Sequence, residues 1–266
     1  MPTQLSGLAA ILPTAAGQTL VNFPSTGRAY TNAQWDDYAH LPRRAFPWSP
    51  PLTFTVRARF SHAAGELAGT AGFGFWNDPF AMTGARVPSL PRAAWFFYAS
   101  PPSDMALARG VAGYGWKAAV IDAWRLPFFA LLPSAPLAVP LMRRGAAYRA
   151  LWPVAQAAIG VDEAAVGVPM AAWHTYRIEW ETRRVGFFVD GAPVLETDRA
   201  PRGRLGLVIW MDNQYMVVTP QGRFCHGLLP QTQTQWMEVA EVAVTTPDRE
   251  SGTMPKPAAG SSAHGA

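Results

Sequence analysis

Strict period-two alternation is the feature that most limits what this chain can fold into. In Leu52–Phe60 (LTFTVRARF), Leu52, Phe54, Val56, Ala58 and Phe60 alternate with Thr53, Thr55, Arg57 and Arg59. That pattern makes a strand with one buried and one wet face, because successive side chains of a strand point to opposite sides. It recurs. Ala71–Trp76 puts Phe73 and Phe75 on one face and Gly72, Gly74 and Trp76 on the other. His174–Glu181 alternates Tyr176, Ile178 and Trp180 against Thr175, Arg177 and Glu179. Arg204–Met211 aligns Leu205, Leu207, Ile209 and Met211. Ala94–Ala99, Val185–Asp190, Pro193–Thr197, Tyr215–Thr219 and Trp236–Thr245 read as further strands, and Asp190-Gly191 is a tight-hairpin signal. Turn residues between these runs predict an all-β sandwich of jelly-roll type.

One stretch departs from this period. Between Trp124 and Val168 the chain is rich in Ala, Leu and Pro, and Tyr148, Leu151, Trp152 and Ala155 fall at helical spacing, with Pro153 interrupting. We read a part-helical insertion around 125–165, within bounds of 125–168, carried by a single sandwich domain over 1–246. The tail, 247–266, is poor in large apolar residues and is expected to be disordered. The insertion gathers Phe128, Leu131, Leu132 and Trp152, which predicts that something covers them: the sandwich itself, a second copy, or a membrane surface facing Arg143, Arg144 and Arg149.

Composition excludes several classes. Charged residues make up 15% of the chain and hydrophobic residues 49%, so a substantial core can form. The net charge is +4, but the arginines are scattered in runs no longer than two, unlike a nucleic-acid-binding stripe. The single cysteine, Cys225, rules out an internal disulfide framework, and the histidines lack HExxH spacing. No metal or cofactor is indicated. The N-terminus has no basic region ahead of its apolar patch, so a cytoplasmic location is expected. The longest apolar run, Leu126 to Met142, holds Pro127, Pro133, Pro136 and Pro140 and is too short to span a bilayer.

The segment Trp173-His174-Thr175-Tyr176-Arg177-Ile178-Glu179-Trp180, continued through Phe187-Phe188-Val189-Asp190-Gly191, resembles the hairpin of the concanavalin A-like lectin/glucanase superfamily. The greatest similarity is to glycoside hydrolase family 16, the laminarinase and lichenase group. The resemblance implies a concave ligand-binding face. That family's signature, Glu-x-Asp-x-(x)-Glu on a strand between the glycine-rich strand and the hairpin, is missing: the strand in that place is Trp95-Phe96-Phe97-Tyr98-Ala99. A retaining glycosidase needs two carboxylates about 5–5.5 Å apart. The resemblance therefore implies the fold without the hydrolysis, and the reading leans away from an enzyme.

Alternation places Trp76 and Trp210 opposite the core, with Trp95 sharing a face with Phe97. These rings are candidate stacking platforms for a carbohydrate, and the clusters that follow them, Asn77-Asp78 and Asp212-Asn213-Gln214-Tyr215, are candidate hydrogen-bonding groups. Two alternatives stand beside a non-catalytic glycan binder. One is a glycosidase with a relocated pair, Asp78 and Asp212. The other binds a hydrophobic or lipid ligand, with the insertion as lid or membrane-surface anchor. His174 reads as structural, Asp36-Asp37 as a solvated pair, and Cys225 with His226 as part of a bland loop.

Overall fold

A computed structural model describes residues 3–15, 17–80, 87–247 and 249–253. In chain order the strands are β1 (Thr3–Ser6), β2 (Ala9–Pro13), β3 (Gly17–Asn22), β4 (Asn32–Asp36), β5 (Leu52–Phe60), β6 (Thr70–Trp76), β7 (Arg92–Ala99), β8 (Gly115–Asp122) and β9 (Asp162–Ala165). After these come β10 (His174–Trp180), β11 (Val185–Val189), β12 (Ala192–Thr197), β13 (Gly206–Asp212), β14 (Gln214–Val218), β15 (Phe224–Leu228), β16 (Gln235–Thr246) and β17 (Arg249–Thr253). Three helices, α1 (Leu126–Leu131), α2 (Ala135–Leu141) and α3 (Gly145–Ile159), lie between β8 and β9.

Fifteen of these strands form two antiparallel sheets packed face to face, the jelly-roll sandwich expected, and β14 and β15 pair as a separate two-stranded sheet. The front sheet runs β1-β4-β13-β6-β7-β8-β9. The back sheet runs β12-β11-β10-β5-β16-β3-β2, with β17 on β16. The alternating residues meet between them: Phe54, Val56, Phe73, Phe75, Phe96, Tyr176, Ile178, Trp180, Leu207 and Ile209 are all fully buried. Asp190 and Gly191 both take positive φ, 50° and 81°, so the β11–β12 loop is the two-residue hairpin its sequence demands.

Several expectations change. His226 and Cys225 lie on β15, paired with β14, and not in a loop. β17 begins inside the stretch expected to be disordered, and residues 254–266 of that stretch lie outside the described residues. Pro153 does not interrupt α3, which runs through it and stops at Gly160, a left-handed C-cap with φ 63°. Asp36 and Asp37 are not a solvated pair. Asp36 is fully buried and accepts from Tyr38 N and Ala39 N, whereas Asp37 accepts from Leu207 N at 2.9 Å and from Trp48 Nε1. Among the described residues no helix is long and apolar enough to cross a membrane.

Candidate functional site

The site is built on the outer face of the front sheet. Its inner residues fill the core, so the alternate positions of each strand face out. On β6 these are Thr70, Gly72, Gly74 and Trp76. The register sets Gly72 between Trp210 of β13 and Phe97 of β7, and Gly74 between Val208 and Trp95. The glycines make room for the rings. A Cβ on Gly72 would lie 2.9 Å from Trp210 Cη2, and one on Gly74 would lie 2.8 Å from the Trp95 Cβ. Phe-Gly alternation in GFGFW thus fills the core on one side and leaves a seat for neighbouring rings on the other. The resulting floor is continuous. The Trp76 and Trp210 rings are parallel with centroids 6.2 Å apart, and Trp95 lies 5.4 Å from Phe97 and 5.6 Å from Trp210. Trp210 Nε1 donates to Thr70 Oγ1 at 3.0 Å and Trp76 Nε1 to the Tyr38 hydroxyl at 2.5 Å, so both indoles are fixed and polar-satisfied.

The insertion folds over this floor as a cap. Phe128, Leu131, Met142, Leu151 and Trp152 line its inner side and enclose with the floor a cavity of ≈ 580 Å³, in the range of small-ligand sites. Of the four residues expected to be covered, Trp152 is buried, Phe128 and Leu131 are half-buried, and Leu132 remains 45% exposed. A buried ion pair holds the cap. Lys117 Nζ reaches Glu163 Oε2 at 2.8 Å and donates to Met105 O and Ala112 O, while Glu163 Oε1 accepts from Leu107 N and Ala108 N. The loop so fixed offers Leu107 O to Trp152 Nε1 at 3.0 Å. Every charge in this pair is partnered, the condition for ions to stay buried.

Polar groups gather at one end. Asp212 Oδ1 accepts from Thr70 Oγ1 at 2.9 Å, Thr70 N at 3.3 Å and Gln214 N at 3.0 Å, and Oδ2 receives the Tyr30 hydroxyl at 3.5 Å. Burial overrides these donors and pushes the Asp212 carboxyl up to about 6. The Tyr30 hydroxyl is raised by its own burial and then by the Asp212 charge. Gln214 and Tyr215 line the cavity here.

Of the sequence-predicted residues, Trp76, Trp95 and Trp210 come together as the floor, and Asp212, Gln214 and Tyr215 as its polar end. Asn77, Asp78 and Asn213 serve the scaffold instead. Asn77 donates to Leu90 O and accepts from Arg92 N, both at 2.9 Å. Asp78 is fully buried, with its carbonyl accepting from Arg43 Nη2. Asn213 accepts from Thr31 N and donates to Ala29 O and Leu229 O. Asp78 and Asp212 cannot act as a pair. Asp212 is opposite Thr70 at one end of β6, and Asp78 follows Trp76 at the other end, six residues on from Thr70, roughly 20 Å at about 3.3 Å per residue. His174 is structural: its Nδ1 meets Asp190 Oδ2 at 2.6 Å, and this bond, with that from Thr175 N, holds the Asp190 carboxyl below the usual range. Tyr30, Thr70, Lys117 and Glu163 were not singled out from sequence. The one available signal was Lys117, a lone cation in the mostly apolar run of β8. Among the described residues no group of three or more His, Cys, Asp or Glu is placed to hold a metal ion.

Fold and site together define a jelly-roll β-sandwich whose front sheet carries an aromatic groove on its outer face, covered by a helical cap. The model of glycosyl hydrolases family 16 matches residues 154–216, from the end of α3 through the hairpin to β14. The match takes in the Trp173–Gly191 hairpin that carries the sequence resemblance. Comparison with curated proteins returns no match. Similar solved structures include the carbohydrate binding module CBM66 from Bacillus subtilis, at 9% identity and TM-score 0.37, covering 92% of this chain and 95% of that one. An endo-β-1,4-glucuronan lyase from Trichoderma reesei is 12% identical with TM-score 0.41, covering 92% and 87%. A GlcNAcα1-4Gal releasing endo-β-galactosidase from Clostridium perfringens is 12% identical with TM-score 0.43, covering 89% and 58%.

Proposed function

We propose that this protein binds a carbohydrate-type ligand in the capped aromatic groove and does not cleave it. The observation that carries this reading is the outer face of β7. Ala93, Trp95 and Phe97 stand there, where the family resemblance would place the catalytic acids, so the centre of the groove offers rings for stacking and no carboxylate. The two acids that do line the cavity, Asp212 and Glu163, are four strands apart, about 19 Å at ~4.8 Å per strand. Glu163 is also committed to Lys117. Neither geometry suits a glycosidase pair. The match to glycosyl hydrolases family 16 supports the glycan class.

The test is calorimetric titration of oligosaccharides into wild type and Trp95→Ala. The variant should bind about 1–3 kcal/mol more weakly with little change in melting temperature, because Trp95 is only half-buried. Unfolding without a binding effect would make the ring structural. Reducing-sugar release from β-glucans that Asp212→Asn abolishes would make the protein an enzyme.

A second reading takes an apolar ligand, and the inner side of the cap favours it, since Phe128, Leu131, Met142 and Leu151 offer a ligand no hydrogen bonds. Displacement of a fluorescent fatty acid, together with silence towards oligosaccharides, would select it.

A further inference from the structure

We propose that the outer face of the cap docks on an anionic lipid surface. The segment is apolar on both sides. Leu131, Ala135, Ala138, Val139 and Met142 line the cavity, whereas Leu137 and Leu141 do not; Leu126 and Phe129 border a shallow cleft beside Trp124, Arg92 and Arg202, and Leu126 is 85% and Leu137 78% exposed. A helical segment that is apolar all round normally sits in a core or in lipid, and this one has a core on one side only.

Charge identifies the cover. Residues 123–161 contain Arg125, Arg143, Arg144 and Arg149 and no acidic residue. Arg143, Arg144 and Arg149 are exposed, and the first two follow Leu137 and Leu141 within about two helical turns. Apolar side chains beside arginines that form no ion pair among the described residues suit the boundary between acyl chains and anionic headgroups. A second copy suits it less. A two-fold interface sets the same patch against itself, bringing the arginines of one cap onto those of the other.

The protein should co-sediment with vesicles of phosphatidylcholine containing phosphatidylglycerol, fail to do so with phosphatidylcholine alone, and be released by added salt. Arg143→Ser with Arg144→Ser should weaken partition by about tenfold or more. Leu126→Ser with Leu137→Ser should weaken it as well. All four sites are exposed, so melting temperature should hold, and it is measured alongside. Trp95→Ala should leave vesicle binding intact, which separates this proposal from the ligand reading. Absence of binding to the anionic vesicles, or binding indifferent to both double variants, would overturn it. So would a dimer in sedimentation that Leu137→Ser dissociates, because the face would then belong to a second copy.

Discussion

Asp212 shows how one side chain reports the environment of the whole site. Four donors favour its charge and complete burial opposes it, and burial wins. Its folded-state pKa, about 6, lies above the ~3.9 of an unfolded aspartate. The folded state therefore holds the proton more tightly, so this group's contribution is fully present below about pH 4 and is lost as pH rises to about 6. Asp37, also raised to about 6 by burial, acts in the same window and with the same sign. Asp190 acts oppositely: its lowered pKa adds stability above the unfolded value that is lost as pH falls. Denaturant titrations across pH should show a slope between about 4 and 6 that Asp212→Asn reduces by roughly half. An unchanged slope would assign the effect to Asp37 alone.

At the level of elements, β6 carries the clearest link from sequence to site. Gly72→Val should cost about 1–3 kcal/mol in chemical denaturation, since its Cβ would meet Phe96 O at 2.3 Å as well as the Trp210 ring. A neutral result would mean that the floor can part without penalty. The same element shows what the sequence makes legible. β5 and β10 were readable because their apolar and polar positions alternate, and the Trp76 and Trp210 faces followed from the two-residue period of a strand. β4 and β8 were not readable. Asn32, Gln34 and Asp36 on β4 and Lys117 on β8 are buried, so neither strand has a wet face to mark its period. The polar clusters misled for a related reason. Asn77 and Asn213 sit beside the groove rings in sequence, but their amides are consumed by backbone groups that only the tertiary fold brings near.

For the whole molecule, the cap is an excursion between two strands that pair with each other, β8 and β9, so the chain leaves and rejoins the sandwich at one sheet edge. Limited trypsin digestion should cut first at Arg143 or Arg144, exposed between α2 and α3, and leave the two fragments associated through the sheets. First cleavage within β5 or β10, read by mass spectrometry, would contradict that order of stability. The ring geometry described above also has an optical meaning. Of 11 tryptophans, Trp76, Trp95, Trp152 and Trp210 line the cavity, and two of them are coplanar in orientation to within 1° at 6.2 Å. Rings this close perturb one another's absorption and emission, and a ligand seated on them would change their surroundings. The unlabelled protein thus carries its own occupancy gauge, readable as a change in ultraviolet circular dichroism and emission.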